Sequence, residues 1–241
     1  MPVSFSRKNP LKNKPRIVVV IPAYNEEKSI VKVLQDMPMD WVDEVVVVDN
    51  NSTDETYEVA KQNGATVLKE SFQGYGSACL KGIAYYQAQN PQPGILVFMD
   101  ADYSDHPEEL PSLIQPILDK DIDMVIGSRA LGNREKGSMT IPQIIGNKIA
   151  SILLRLIYKV HFTDLGPFRA VKFDALMEIQ MCDKTYGWTV EMQLKAAKLK
   201  MKTCEVPVTY RRRIGVSKVS GTMKGAIMAG YKIIATIFKY R

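Results

Sequence analysis

The sequence predicts an α/β fold, a mostly parallel sheet with helices on both of its faces. Three observations carry this. Short runs rich in β-branched residues keep no polar positions for water, as strands covered on both sides require. Segments with helical spacing of apolar residues separate these runs. Polar, carboxylate-bearing stretches follow several of them, and open α/β sheets bind ligands beyond the carboxyl ends of their strands. A length of 241 residues suits one large domain, and no interior Pro/Gly/Ser-rich stretch reads as a linker.

Residues 1–16 form a basic tail with Arg7, Lys8, Lys12, Lys14 and Arg16 and no apolar centre of the kind a signal peptide needs. Ile17 to Ile21 is the first strand and ends at Pro22. Ala23-Tyr24-Asn25-Glu26-Glu27 opens a helix whose apolar positions are Ile30, Val33, Leu34 and Met37. Val45 to Val48 is the second strand. After Asp49-Asn50-Asn51 a capping box is expected, with Ser52 accepting from the amide of Glu55 and Glu55 reaching back. The helix it starts runs to about Asn63, where Gly64 stops it. Ala65 to Leu68 is a short third strand, and Gly74-Tyr75-Gly76 leads into a helix through about Gln89. Pro91 to Gly94 turns the chain into a strand from Ile95 to Met99. The next helix has Pro107 near its start and Glu108 and Glu109 at the positive end of its dipole. Met124 to Ile126 is a further strand and delivers Gly127-Ser128-Arg129.

The second half departs from this alternation. Residues 141–160 place Ile145, Ile149, Ile152, Leu156 and Val160 on one helical stripe, widened by Ile144, Leu153 and Ile157, with Lys148, Arg155 and Lys159 on another line. Such a helix either packs on the sheet or lies in a membrane interface. Residues 225–238 form a second apolar stretch, broken by Lys232, whose uninterrupted pieces are about half the ~20 residues a spanning helix needs. No transmembrane segment is expected.

Charge is distributed unevenly. From Lys195 onward there are twelve Lys or Arg and one acid, Glu205, whereas the first 194 residues carry twenty bases and twenty-five acids. A basic tail on an acidic body points to an anionic partner: phosphate, nucleic acid or a membrane surface. Cys79, Cys182 and Cys204 lie far apart, and with only His106 and His161 beside them no soft-metal cluster can be built. A reducing, cytoplasmic location is expected.

The chemistry centres on Asp100-Ala101-Asp102. Two carboxylates one residue apart at a strand exit suit a hard divalent cation, Mg²⁺ or Mn²⁺, which prefers oxygen ligands and keeps positions open for phosphates. The reading is a metal-assisted nucleotide-diphosphate site.

The ordered set Ile21-Pro22-Ala23-Tyr24-Asn25-Glu26, Val48-Asp49-Asn50-Asn51-Ser52-Thr53-Asp54, Gly74-Tyr75-Gly76, Asp100-Ala101-Asp102, Gly127-Ser128-Arg129, Thr163 to Arg169, Tyr186 to Glu191 and Glu205 to Gly221 resembles glycosyltransferase family 2 of the GT-A fold. Within it, the match is to the polyprenyl-phosphate sugar synthases. The resemblance covers about residues 17–222, a single GT-A, Rossmann-like domain with a donor half at about 17–130 and an acceptor half at about 131–222; an amphipathic helix at 223–241 would follow.

The resemblance implies a donor pocket of Pro22, Ala23, Tyr24, Glu26, Val48, Asp49, Asn50, Gly76, Asp100, Ala101 and Asp102. Many relatives carry an aspartate at the place of Asn50, and an amide that donates as well as accepts could change which base edge is read. Asp102 is expected as the direct metal ligand and Asp100 on the nucleotide side, with Ser104 a weaker ligand. Catalytic roles fall to Asp102, Arg129 and Glu191, the last as a base, as a group orienting the acceptor, or as no more than a helix cap. The acceptor phosphate is assigned to Arg129, Lys148, Arg211, Arg213, Ser217 and Lys218. If residues 211–213 are extended, Arg211 and Arg213 share a face that Arg212 opposes. Asp164 and Arg169 are expected to pair structurally.

The function expected is inverting transfer of a hexose from UDP- or GDP-hexose to a polyprenyl phosphate at the cytoplasmic membrane face, the enzyme being peripheral there or held by a membrane partner protein. A family 2 enzyme using a soluble or glycan hydroxyl acceptor is the alternative. A nucleic-acid-binding module is a third reading, disfavoured because no aromatics interleave with Arg211-Arg212-Arg213.

Overall fold

The computed structural model describes residues 14–215 and 223–240. In chain order its elements are β1 (Ile17–Ala23), α1 (Ile30–Gln35), β2 (Glu44–Asp49), α2 (Thr56–Gln62), β3 (Thr66–Lys69), α3 (Tyr75–Gln87), β4 (Ile95–Phe98), a 3₁₀ turn (Pro107–Glu109), α4 (Leu110–Lys120), β5 (Met124–Ser128), α5 (Ile141–Tyr158), β6 (Arg169–Lys172), α6 (Phe173–Ile179), α7 (Trp188–Lys198), β7 (Thr203–Pro207) and α8 (Met223–Lys239). Among the described residues, seven strands form one sheet in the order β3-β2-β1-β4-β6-β5-β7. All neighbours are parallel except β6, which runs antiparallel to both β4 and β5.

Alternation along the strands builds two cores. Ile17, Val19 and Ile21 of β1 pack on one face with Ile30, Val33, Ala60 and Leu113. Val18 and Val20 pack on the other with Ala78, Cys79, Trp188 and Leu194. Each buried Val, Ile or Leu side chain contributes about 1.5–3 kcal/mol relative to exposure, which is why these runs tolerate no polar residue. Trp188 meets Phe98 edge-on, with ring centroids 5.7 Å apart.

The elements that sequence reasoning left unassigned are β6, β7, α6 and α7. Arg169-Ala170-Val171-Lys172 has charged ends and no strand signature; pairing on both sides makes it a central strand and buries Arg169 completely. The expected capping box at Ser52 does not form. Helix α2 starts later, Ser52 Oγ accepts from the amide of Asn25 (3.0 Å), and the amide of Glu55 donates to Glu27 (3.2 Å). A capping box does form at α5, between Thr140 and Gln143.

Helix α5 has two characters. Ala150 and Leu154 enter the core, while Ile145, Ile149, Ile152 and Leu156 stay 53%, 44%, 48% and 71% exposed. The stripe with the strongest apolar periodicity is therefore not the packed one. Helix α8 lies against α5 and α7: Tyr158 Oη donates to the Ile237 carbonyl (2.7 Å), Tyr240 Oη to Glu191 (2.7 Å), and Lys198 Nζ to the Tyr240 carbonyl (2.8 Å). No described helix is long and apolar enough to cross a membrane.

Candidate active site

Strand β4 ends just before Asp100, and the chain turns sharply through Tyr103, whose φ of 65° is a left-handed conformation uncommon for a bulky residue. Tyr103 is held there from outside: its hydroxyl bonds Asp36, and the Arg211 guanidinium stacks on its ring at 3.4 Å. Within the turn, the amide and hydroxyl of Ser104 both donate to Asp102 Oδ1. Ser104 thus orients the carboxylate.

Residues 210–214 run beside this turn through backbone bonds, Arg211 N to the Ser104 carbonyl and Ile214 N to the Asp102 carbonyl, both 3.0 Å. The extended backbone splits the three arginines. Arg213 reaches Asp102 Oδ2 (3.0 Å) and Glu26 Oε1 (2.6 Å). Arg211 donates to the carbonyls of Tyr103 (2.8 Å) and Asp105 (3.1 Å), so its donors are used in bracing the turn. Arg212 turns away to the Lys136 carbonyl (2.8 Å). Ser217 and Lys218 lie outside the described residues.

Two cavities meet at the aspartates. The first, about 440 Å³, is lined by Pro22, Ala23, Tyr24, Glu26, Asn50, Asp100, Ala101 and Asp102, with Gly74, Tyr75 and Arg213. Val48, Asp49 and Gly76 do not line it. Val48 and Asp49 are buried beneath, Asp49 accepting from the amide of Ser52. Gly76 instead permits the close approach of residue 183, whose carbonyl oxygen would lie 2.0 Å from any Cβ there. Asn50 faces the cavity but its amide is occupied: Nδ2 donates to the carbonyls of Glu70 and Phe72, and Oδ1 accepts from Gly74. It secures the 70–74 loop, so the expected reading of a base edge lacks free donors.

The second cavity, about 300 Å³, shares Tyr75, Asp100, Asp102, Tyr186 and Arg213 with the first and adds Arg129, Trp188 and Tyr210. It continues between α5 and α8 along Pro142, Gly146, Gly230 and Ile233. Arg129 stacks on Tyr210 at 5.0 Å and gives Nε and Nη2 to Asp164 at 2.8 and 2.7 Å. The expected Asp164–Arg169 pair is therefore replaced by Asp164–Arg129; Arg169 donates to the carbonyls of Leu165, Gly166 and Thr189. Lys148 lines neither cavity. It sits in a third, with Arg134, Arg155 and His161.

Glu191 also departs from expectation. It lines none of these cavities, is fully buried, and accepts from the Cys182 thiol, from the amides of Cys182 and Asp183, from Lys195 and from Tyr240 Oη. Burial alone would raise its pKa, but these donors bring it down to about 2. It is a clasp joining the 182–183 loop, α7 and α8. Conversely, Tyr75, Tyr186, Trp188 and, from the separate 205–221 segment, Tyr210 lie within matched motifs, but sequence reasoning gives them no site role; Asp105, three residues beyond Asp102, sits behind the turn and accepts from the Asp100 amide.

The electrostatics suit a cation. Burial first, and then repulsion from Asp102, raises the Asp100 carboxyl to about 7, and burial with the charges of Asp100 and Asp102 pushes Asp105 well up. Asp100 Oδ1 is buried without a partner, as are Tyr75 Oη, Trp188 Nε1 and Arg213 Nε, all on residues lining the cavities. Buried polar atoms left unpaired are expensive, so their convergence marks a ligand position. No cluster of three or more His, Cys, Asp or Glu side chains that could hold a metal occurs among the described residues. Asp100 and Asp102 would thus supply two oxygens of a shell that phosphates and water complete, a pattern hard divalent ions accept.

A mostly parallel sheet whose strand ends carry carboxylates into paired cavities of this kind is a GT-A arrangement, and the chain belongs to the glycosyl transferase family 2, whose sequence profile matches residues 18–180. It is therefore a glycosyltransferase. An uncharacterized glycosyltransferase of Mycobacterium tuberculosis is 36% identical over 216 residues, covering 88% of this chain and 94% of that protein. The undecaprenyl-phosphate mannosyltransferase of Micrococcus luteus is 31% identical over 223 residues (87% and 90%), and the dolichyl-phosphate hexose transferase of Haloferax volcanii 33% over 233 (93% and 95%). Among solved structures, glucosyl-3-phosphoglycerate synthase from M. tuberculosis in complex with Mn²⁺, UDP and glucosyl-3-phosphoglycerate superimposes with a TM-score of 0.74 at 23% identity, covering 94% of this chain and 80% of that one. At that identity the likeness speaks for the fold alone.

Proposed function

We propose that this chain transfers a hexose, with inversion, from a UDP- or GDP-hexose to a polyprenyl phosphate at the cytoplasmic face of a membrane. The observation that carries the reading is the second cavity. It begins at Asp102 and Arg213 and leaves between α5 and α8 along small and apolar residues, Pro142, Gly146, Gly230 and Ile233. A phosphate headgroup meets cations at the inner end, and an isoprenoid chain meets an apolar groove at the outer one. The relatives named for undecaprenyl and dolichyl phosphate support it.

The donor diphosphate belongs in the first cavity beside Asp100 and Asp102. A bound Mg²⁺ or Mn²⁺ there would neutralise charge on the departing nucleotide diphosphate. Arg213, with Nε unpaired, and Arg129, rigidly held by Asp164, bring the acceptor phosphate to the sugar against the repulsion of the diphosphate. One phosphate oxygen forms its bond to the anomeric carbon as the bond to the diphosphate oxygen breaks on the opposite face. The nucleophile is already an oxyanion near neutral pH, so no base is required, and the withdrawal of Glu191 into its clasp costs the reaction nothing. A hydroxyl acceptor would need a base, which disfavours the alternative.

The test is a donor panel: the purified chain with Mn²⁺ or Mg²⁺, a radiolabelled UDP- or GDP-hexose and a polyprenyl phosphate in detergent. An organic-extractable labelled product is expected for one donor. Its absence across the panel rejects the reading.

A further inference from the structure

We propose that the third cavity, on the outer side of α5, binds the phosphate headgroup of an anionic phospholipid and so seats this face of the protein on a bilayer. The inference builds on the membrane-side acceptor reading but concerns a different cavity. The pocket measures about 310 Å³ and is walled by Arg134, Lys148, Arg155 and His161 with Ile144 and Ile152. Ile144, Lys148, Ile152 and Arg155 recur at helical spacing, so one face of α5 presents cations and isoleucines together.

The charges are available. Arg134, Lys148 and Arg155 are exposed, and none pairs with a carboxylate among the described residues; the exposed His161 ring adds a hydrogen-bonding edge. The carboxylate in the wall, Asp164, is already engaged by Arg129. Ser151 Oγ, also in the wall, is buried without a partner and remains as a donor. Beside the cavity the same helix exposes Ile145, Ile149 and Leu156. A cationic pocket flanked by an apolar ridge matches the boundary between headgroups and acyl chains, where charge and hydrophobic area act together. A single-stranded nucleic acid would want exposed aromatic faces; the ring in this wall, Phe162, is buried.

The experiment is flotation of the full chain with vesicles of phosphatidylcholine alone or with added phosphatidylglycerol, containing neither polyprenyl phosphate nor nucleotide. Binding is expected only to the anionic vesicles. Because each basic residue near an anionic surface contributes roughly fivefold to binding, Arg134→Ala/Arg155→Ala should weaken it roughly thirtyfold. Lys61→Ala/Lys120→Ala, which removes the same charge elsewhere, should leave it nearly unchanged. Equal binding to both vesicle types, equal weakening by the two double variants, or capture of duplex DNA without vesicle binding each overturns the proposal. Product formation in detergent is read separately, so the acceptor reading and the headgroup site can fail independently.

Discussion

Arg213 lies with Nη1 3.0 Å from Oδ2 of Asp102, while Oδ1 of the same carboxylate takes the amide and hydroxyl of Ser104. Asp102 is thus oriented from both sides and, in turn, fixes the guanidinium assigned to the acceptor phosphate. Asp102 and Arg213 line both cavities and so couple the two.

Replacing Asp102 by Ala removes an oxygen for the divalent ion and frees Arg213 from its anchor. Titration calorimetry should show loss of the Mn²⁺-dependent component of nucleotide binding, and kcat/KM should fall by roughly 10²–10³. Unchanged nucleotide affinity would refute the assignment.

Asn50 donates to the carbonyls of Glu70 and Phe72. In Asn50→Asp an acceptor would face two acceptors, a loss of roughly 1–3 kcal/mol. The expected outcome is a lower Tm and a raised donor KM with no change in base preference. A switch between UDP- and GDP-sugars would instead show that the amide reads the base.

Gly146 and Gly230 line the groove between α5 and α8, and a Cβ at either would meet no atom within 4 Å. Leucine is a better helix former than glycine by roughly 1 kcal/mol, so Gly146→Leu should fold at least as well while filling the groove. KM for a long polyprenyl phosphate is expected to rise tenfold or more by the extraction assay, with donor affinity intact. Unimpaired turnover would mean that the chain does not run there.

Glu191, with a folded pKa of about 2 against an ordinary value of 4.5, gives a pH signature. A lowered pKa means that the unfolded chain binds more protons in the intervening range. Its stabilisation is therefore complete above about pH 5 and is lost as pH falls towards 2. Glu191→Gln should lower Tm at neutral pH, by roughly 1–3 kcal/mol in stability, and flatten the acid limb of the Tm–pH profile. Below its own Tm the variant should keep near-normal kcat; a collapse of turnover would restore Glu191 to the chemistry.

How much of this was legible depends on whether a residue's role is local. The buried strands β1, β2 and β4 announce themselves because each face of each strand must be apolar, and the paired aspartates because a short loop carries both. Strand β6 and the clasp at Glu191 left no such trace. Arg169 is buried only because two strands flank it, and Glu191 meets donors from residues 182, 183, 195 and 240.

From the sequence alone came the α/β class and the order of the principal strands and helices up to α5, carried by contiguous apolar runs and helical spacing, with the paired carboxylates of Asp100-Ala101-Asp102; the donor motifs came with the resemblance to the family. Tertiary structure decided which arginine reaches Asp102, that Arg129 pairs with Asp164, that Lys148 serves another cavity, and which stripe of α5 stays outside. Those outcomes turn on side chains from distant segments competing for the same few partners, and no local pattern records who wins.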